Sequence, residues 1–282
     1  ELIYKGKNVS YLNNFNSKDS SKRAGCKITT SNILSRNGFP VCNYVAWDHS
    51  LDNDDNVRIV NDKLNFPLVV KPSDGMKGEN IRTDIINNKT LLEAINNLQI
   101  HNKDGIIIEE QTNGNKFRIM VLNDKLVYAS EDVKPVIVGD GVSSIRQLID
   151  QFPEKNDTAA ISTIDGDLIN QQGYELDSVL ENNKSLIVTN VVNVSNGGKQ
   201  KFIDEDEIHP ENSILFRQIN KILGLNFSGI DYMSQSLSIP YFFGGKIIEV
   251  NSSPGFSPVP RDTALTKAYK RRTDKWVNAL FQ

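Results

Sequence analysis

Ile-Ile-Glu-Val-Asn-Ser-Ser-Pro-Gly, residues 247–255, is the stretch of the sequence that most restricts the fold. It predicts an apolar strand whose last positions carry Glu249 and Asn251. Side chains two positions apart on a strand point to the same face of its sheet. The preceding apolar segment, 227–233, carries Asp231, which an antiparallel pairing would bring to the same place. Three hard oxygen ligands suit Mg²⁺, whose remaining ligands are water and nucleotide phosphates. A solvated strand edge with chance polar residues is the alternative, and it is the simpler explanation of Asp231 alone.

A second apolar strand, residues 68–71, ends at Lys71 and leads into a loop that contains Gly75 and Gly78. A lysine at this place can hold a phosphate, while backbone N–H groups of the loop cover the other phosphates. The loop is not a Walker A motif, because Gly-Lys-[Ser/Thr] is missing. Taken alone, a surface lysine before an ordinary turn explains the segment more simply.

Two further segments are candidates for the same site. Residues 106–111 predict a strand that ends in Glu109, Glu110 and Gln111. Such a strand offers an adenine ring apolar walls and backbone hydrogen bonds, although a strand that leaves the core explains it equally well. Arg118 lies on a later strand.

The polar loop 195–199, which contains Ser195, Gly197 and Lys199, can donate backbone N–H groups to a developing negative charge. A flexible turn is its simple alternative.

Composition excludes several classes of protein. The chain has 282 residues, of which 38% are hydrophobic and 24% charged, and its formal net charge is -3. These values are ordinary for a globular protein with a real core, and they do not favour a nucleic-acid partner. No apolar run is long enough to span a bilayer. Cys26 and Cys42 show no metal-binding spacing, so we expect two buried free thiols in a cytoplasmic protein, with a disulfide between them left open.

The order of elements predicts an α+β fold, because strands and helices are mixed without strict alternation. Clear local signals are a hairpin turn at 123–124 and a helix over 211–223 that Gly224 ends. We also expect a solvated loop over 48–56, a strand over 241–250 that contains a Gly244-Gly245 turn, and an amphipathic helix over 263–281.

In their order and spacing, several motifs resemble the ATP-grasp family, most closely the ATP-grasp core of cyanophycin synthetases and bifunctional glutathione synthetases. They are Val-Val-Lys-Pro-Ser-Asp-Gly (69–75), Val-Gly-Asp-Gly (138–141), Asn-Val-Ser-Asn-Gly-Gly (193–198), Gly-Ile-Asp (229–231) and the stretch 249–255. The resemblance covers residues 27–255. It implies two α+β lobes with ATP between them: a lead-in segment over 1–19, a small lobe over 20–111 and a large lobe over 112–282.

The resemblance also implies a reaction, in which ATP phosphorylates a carboxylate and an amine of an amino acid or peptide then displaces phosphate to form an amide. Arg118 and the loop 195–199 would stabilise the acyl phosphate, and the metal ligands would hold one or two Mg²⁺ ions, with Mn²⁺ as an alternative. The residues expected to contact ATP are Lys27, Lys71, Gly75, Lys77, Gly78, Glu109, Glu110, Gln111 and Lys116. The expected partners are ATP and the small substrate, with no nucleic acid and no membrane, and a homo-oligomer is left open.

The sequence departs from the family pattern at several positions. A third loop glycine is replaced by Asn80, an acidic residue expected at the ribose by Lys116, and a basic residue before the Val-Gly-Asp-Gly turn by Asp132. An arginine expected near 189–191 is absent. These departures keep open a catalytically weakened nucleotide-binding module as an alternative to the ligase. A phosphotransferase with the same fold is a second alternative, because the resemblance is to a family in which some members phosphorylate without ligating.

Overall fold

The computed structural model describes residues 2–4, 7–9, 15–74, 80–101, 105–152, 160–161, 164–190, 197–254, 274–275 and 278–279. The strands are β1 (Leu2–Tyr4), β2 (Lys7–Val9), β3 (Tyr44–Ala46), β4 (Leu68–Pro72), β5 (Arg82–Ile85), β6 (Ile106–Glu110), β7 (Asn115–Leu122), β8 (Lys125–Val133), β9 (Val136–Val138), β10 (Ser185–Ile187), β11 (Lys199–Phe202), β12 (Phe227–Ser234) and β13 (Lys246–Asn251). The helices are α1 (Lys18–Gly25), α2 (Lys27–Arg36), α3 (Asn53–Lys63), α4 (Asn88–His101), α5 (Ile145–Asp150), α6 (Gly166–Gln171) and α7 (Pro210–Leu223). Because helices and antiparallel sheets are mixed without alternation, the predicted α+β class is confirmed.

The chain divides into two compact units. The first consists of Glu1–Ala129 together with Asp204–Gln282, and the second is Ser130–Ile203. The predicted lobes, 20–111 and 112–282, have different bounds from these two units, and they stay a prediction.

The first unit contains a four-stranded antiparallel sheet in the order β3-β6-β4-β5. Its core joins buried strand residues such as Leu68 and Ile108 to Val60 of α3 and to Leu91 and Ile95 of α4. Full burial of each such side chain contributes about 1.5–3 kcal/mol. The packing therefore fixes the two strands, β4 and β6, that carry Lys71 and Glu109.

A second sheet of the same unit places β12 between β7 and β13 in an antiparallel arrangement. The pairing of β12 with β7 runs from Phe227 opposite Leu122 to Ser234 opposite Asn115. Helix α7 packs on this sheet through an edge contact between the rings of Phe216 and Tyr232, whose centroids are 5.1 Å apart. The helix ends as predicted at Gly224, which has a φ of 69°.

The hairpin predicted at Asn123 and Asp124 is confirmed, and it joins β7 to β8. Both turn residues have positive φ, 47° and 60°. Positive φ at both central residues is the geometry of a type I′ turn, whose twist matches that of the flanking strands.

One local prediction is wrong and a second is wrong in part. The loop expected over 48–56 gives way at Asn53 to helix α3, whose N-cap Asp52 accepts a hydrogen bond from the backbone of Asp55 at 2.8 Å. Of the strand expected over 241–250, Tyr241–Phe243 instead form a 3-10 turn, while the expected turn at Gly244, which has a φ of 109°, and the strand after it, β13, are present. Most of the helix predicted over 263–281 lies outside the described residues.

The second unit has a core of its own, which includes Ile137, Ile145, Leu180 and Val188. Strands β9 and β10 pair with each other, and β11 pairs with residues 130–133 of β8. The Val-Gly-Asp-Gly turn lies beside β9. A side chain at Gly139 would place its Cβ 2.1 Å from the carbonyl oxygen of Glu181, so this turn requires glycine.

Both cysteines are free thiols, as expected, although only Cys42 is buried and Cys26 is half-buried. Burial, with a smaller contribution from the nearby Glu109 carboxylate, raises the pKa of Cys42 to about 12. Among the helices in the described part of the chain, none has the length and apolar character needed to cross a bilayer.

Candidate active site

The candidate metal ligands lie side by side on β12 and β13. Asp231 is directly opposite Glu249, and Asn251 is opposite Gly229. Directly opposed residues of an antiparallel pair project to the same face. The expected antiparallel neighbour of Asp231 is therefore present, while its binding of metal stays a prediction.

Two cationic side chains from β7 contact the buried carboxylate of Asp231. Arg118 Nε lies 2.6 Å from Asp231 Oδ1, and Lys116 Nζ lies 3.2 Å from Oδ2. Although Oδ1 is within ion-pair distance of Arg118, it accepts no hydrogen bond of good geometry. This oxygen keeps lone-pair capacity that a cation can use.

The position of Arg118 depends on Gly229. A Cβ built on Gly229 would lie 3.0 Å from Arg118 Nη1 and 2.6 Å from Pro254 Cβ. The guanidinium group and the proline ring therefore cover the glycine backbone at close range. Arg118 is directed over the end of β12, beside the position of Asn251.

Glu249 forms an ion pair with Lys27, whose Nζ lies 3.4 Å from Glu249 Oε1. Lys27 is the first residue of α2, and its backbone N–H donates to the carbonyl of Ser73 at 2.8 Å. Ser73 lies at the start of the glycine loop. One residue thus links the predicted phosphate loop to a predicted metal ligand.

Lys71 is buried at the end of β4 and pairs with Glu109 of β6, with 2.7 Å between Nζ and Oε2. Its Nζ also lies 3.5 Å from the carbonyl oxygen of Ile248. The register between β12 and β13 shifts after Asp231, which leaves Ile248 as an extra residue on β13. Through this carbonyl, Lys71 connects the four-stranded sheet to the strand of the candidate metal ligands.

Glu110 and Gln111, which follow Glu109 and are also predicted to contact the nucleotide, make structural contacts. Glu110 accepts hydrogen bonds from the backbone and side chain of Asn65 and from Asn43, all between 2.8 and 2.9 Å. Burial acts to raise the pKa of Glu110, but these hydrogen bonds outweigh it and hold the pKa below its usual value. Gln111 exchanges two hydrogen bonds with Asp84. Their contact with a nucleotide stays a prediction.

The other predicted residues fall into two groups. Gly75, Lys77, Gly78 and Ser195 lie outside the described residues. Gly197 and Lys199 belong to the second unit, where Lys199 is exposed and pairs with Val133 of β8. Their catalytic role is untested.

The side chains present suit a metal-bound polyphosphate. Two carboxylates and an amide offer the hard oxygen atoms that Mg²⁺ prefers. Among the described residues, four cations, Lys27, Lys71, Lys116 and Arg118, face the three carboxylates Glu109, Asp231 and Glu249, which leaves one positive charge. A polyphosphate carries several negative charges, and a divalent cation would offset part of them. Within the described ranges, His, Cys, Asp and Glu form no group of three suited to a metal ion.

Two features of this region go beyond what the sequence predicts. Glu109, a predicted nucleotide contact, also forms an ion pair with Lys71, for which opposite charges within two apolar strands are the available signal. Asn16 belongs to the predicted lead-in segment, and its side chain hydrogen-bonds to the first residue of β12 and to Ser252, which follows β13. No local pattern marks that residue.

Comparison with known proteins identifies the family. The family model of the D-ala D-ala ligase C-terminus matches residues 33–197, and the chain belongs to this family of ATP-grasp ligases. Asp231, Glu249 and Asn251 lie beyond the matched range.

Relatives and a solved structure agree with this result. Cyanophycin synthetase from Synechocystis sp. is 34% identical over 240 residues, which are 80% of this chain and 27% of that protein. The glutathione biosynthesis bifunctional protein GshAB from Streptococcus mutans is 25% identical over 242 residues, 81% of this chain and 32% of that protein. D-alanine–D-alanine ligase from Bacillus anthracis has the same fold, with a TM-score of 0.57 at 14% identity over 94% of this chain and 70% of that one. The chain thus spans about a third or less of the two relatives.

Proposed function

We propose that the chain is the catalytic core of an ATP-dependent carboxylate–amine ligase that forms an amide bond on an amino acid or peptide through an acyl phosphate. The observation that carries the proposal is the convergence of Lys71, Lys27 and the pair Asp231–Glu249 in one compact unit. Membership of an ATP-grasp ligase family supports it.

Each side chain has a role that follows from its charge and place. Lys71 and Lys27 hold ATP phosphates, and their carboxylate partners keep both ammonium groups oriented. Asp231, Glu249 and Asn251 hold one or two Mg²⁺ ions, with Mn²⁺ as an alternative. When bound, the metal would neutralise charge on the transferred phosphoryl group.

The reaction transfers the terminal phosphoryl group of ATP to a substrate carboxylate. An amine then attacks the acyl carbon, and inorganic phosphate leaves. Arg118 faces the same side of the sheet as Asp231 and would stabilise the negative charge on the acyl phosphate. Ser195, Gly197 and Lys199 are proposed to assist from their loop. Catalysis of this kind rests on positioning and electrostatics.

Calorimetric titration of ATP with Mg²⁺ tests the nucleotide site. The wild type is expected to bind with micromolar affinity only when metal is present, and Glu249→Ala/Asn251→Ala is expected to lose binding. Glu205→Ala is the matched control, because its carboxylate forms an exposed ion pair with Lys275. Equal affinity of the wild type and the double variant would show that these residues hold no metal.

Product analysis then tests the reaction. ADP release with amide formation from a pool of amino acids and carboxylates supports the ligase. A phosphorylated product without an amide would indicate a phosphotransferase, and binding without turnover a nucleotide-binding module. The cytoplasmic location and a homo-oligomer remain predictions from the sequence.

A further inference from the structure

Asn16 is a buried asparagine whose side chain uses its full hydrogen-bonding capacity. Its Oδ1 accepts hydrogen bonds from the backbone of Asn226 at 2.8 Å and Phe227 at 3.0 Å. Its Nδ2 donates to the carbonyl oxygens of Phe227 and Ser252, both at 2.7 Å. Two donated and two accepted bonds are the most that this side chain commonly makes.

These four bonds lie where β13 separates from β12. The last residue pair of the two strands is Gly229 with Asn251. If the pairing continued beyond this pair, the chain after Asn251 would lie opposite Phe227. Instead, the amide of Asn16 lies between Phe227 and Ser252 and takes the backbone groups of both. The ladder between the strands therefore stops at Asn251.

The separation has a consequence for the candidate site. Once released from the ladder, residues 252–254 turn back over the sheet, and Pro254 covers Gly229 next to Arg118. Asn251 is thus held by β12 on one side and by the anchored carbonyl of Ser252 on the other. Some residues orient metal ligands without binding the metal themselves. Their mutation commonly lowers metal affinity by about 10–100-fold.

We propose that Asn16 is a positioning residue. Its side chain separates β12 from the chain after β13, and so holds Asn251 and the 252–254 turn in the positions that bind Mg-ATP. This inference rests on the proposed function of the same site. A residue from the predicted lead-in segment would then set the geometry of the candidate metal ligands.

A purely structural anchor is the competing explanation, and Asn56 provides a matched control. It is also buried, donates to the carbonyls of Asp48 and Asp52, and accepts a bond from Asp48 N–H at 2.9 Å. None of these bonds involves the candidate site. Asn16→Ala and Asn56→Ala therefore remove a similar set of bonds from the same compact unit.

The experiment combines Mg-ATP calorimetry with hydrogen exchange on the full chain. Asn16→Ala is expected to raise the Kd of Mg-ATP about tenfold, while Asn56→Ala stays within about twofold. Faster exchange is expected at residues 226–227 and 250–254 only in Asn16→Ala. Equal Kd values for the two variants, or unchanged exchange at 250–254, would overturn the inference.

Asn16→Asp keeps the test decisive if the alanine variant does not fold. It retains both acceptor contacts but loses the donors to Phe227 and Ser252, so exchange should rise at 250–254 and not at 226–227. Absence of Mg-ATP binding by the wild type would refute the proposed function instead. The exchange data would then still decide whether Asn16 holds the 252–254 turn.

Discussion

Lys71 and Glu109 form an ion pair between two buried strands, and neither side chain has more than 6% of its surface exposed. Removal of one member leaves an uncompensated charge that water cannot solvate, at a cost of about 3–5 kcal/mol. Replacement of both by apolar residues is often close to neutral. The pair is therefore a weak source of stability, which is consistent with the phosphate-binding role proposed for the lysine.

Lys71→Met is expected to lose Mg-ATP binding and about 3 kcal/mol of unfolding free energy. Lys71→Met/Glu109→Leu is expected to regain most of that stability, because no buried charge remains, and still not to bind Mg-ATP. Urea unfolding measures the first quantity and calorimetry the second. Restored binding in the double variant would show that Lys71 has no phosphate role.

Gly229→Ala tests the close packing of Arg118. The added Cβ would lie within 3.0 Å of Arg118 Nη1 and within 2.6 Å of Pro254 Cβ, so both groups must shift. We expect weaker Mg-ATP binding by about tenfold, less than the loss of about a hundredfold in rate that a 1 Å misplacement of a catalytic group can cause. Gly166→Ala is the control, because its Cβ meets no atom within 4 Å. Similar binding by both variants would contradict the prediction.

The candidate site was predictable only where its signal is local. Glu249 and Asn251 follow from the two-residue period of a strand, and Asp231 from the apolar strand before it. Asn16 could not be found this way, because its partners lie 211 and 236 positions along the chain. Long-range hydrogen bonds leave no pattern in a single sequence.

At the level of elements, turns and helix ends were predicted where one residue type has one structural use. Gly224 and the Asn123–Asp124 hairpin are of this kind. The segment 48–56 is ambiguous, because acidic residues are typical of both a loop and the first turn of a helix. In the structure the segment begins a helix, because Asp52 caps its N-terminus and Val60 packs in the core. Tertiary packing therefore decided what the local composition left open.

Asp124→Gly tests the hairpin. Asp124 has a φ of 60°, which is strained for a residue with a Cβ and free of strain for glycine. The variant also loses an exposed ion pair with Lys221 at 3.6 Å, which contributes little. Relief of about 1–2 kcal/mol of left-handed strain exceeds the entropic cost of a glycine, about 0.4–1 kcal/mol, so we expect a net stabilisation of about 0.5–1 kcal/mol in urea unfolding. A destabilised variant would show that the turn does not depend on left-handed backbone geometry.

At the level of the whole molecule, the two compact units each bury their own apolar cluster. Leu180 is fully buried in the core of the second unit, and Leu91 is fully buried in the core of the first. Leucine-to-alanine changes at such positions remove about 2–5 kcal/mol of stability. Such a loss of stability accelerates hydrogen exchange only in the residues that open together as one cooperative unit.

Hydrogen exchange of Leu180→Ala and Leu91→Ala therefore measures the cooperativity of the chain. If the units open separately, Leu180→Ala accelerates exchange in α5, α6, β9 and β10, while β4, β6 and β12 stay protected. Leu91→Ala is expected to give the reverse pattern. Faster exchange throughout the chain in both variants would mean that the separate cores unfold as one cooperative structure. In the first case, a destabilised second unit would still leave Lys71, Asp231 and Glu249 in a folded environment, so its effect on Mg-ATP affinity would report what residues 130–203 themselves contribute to binding.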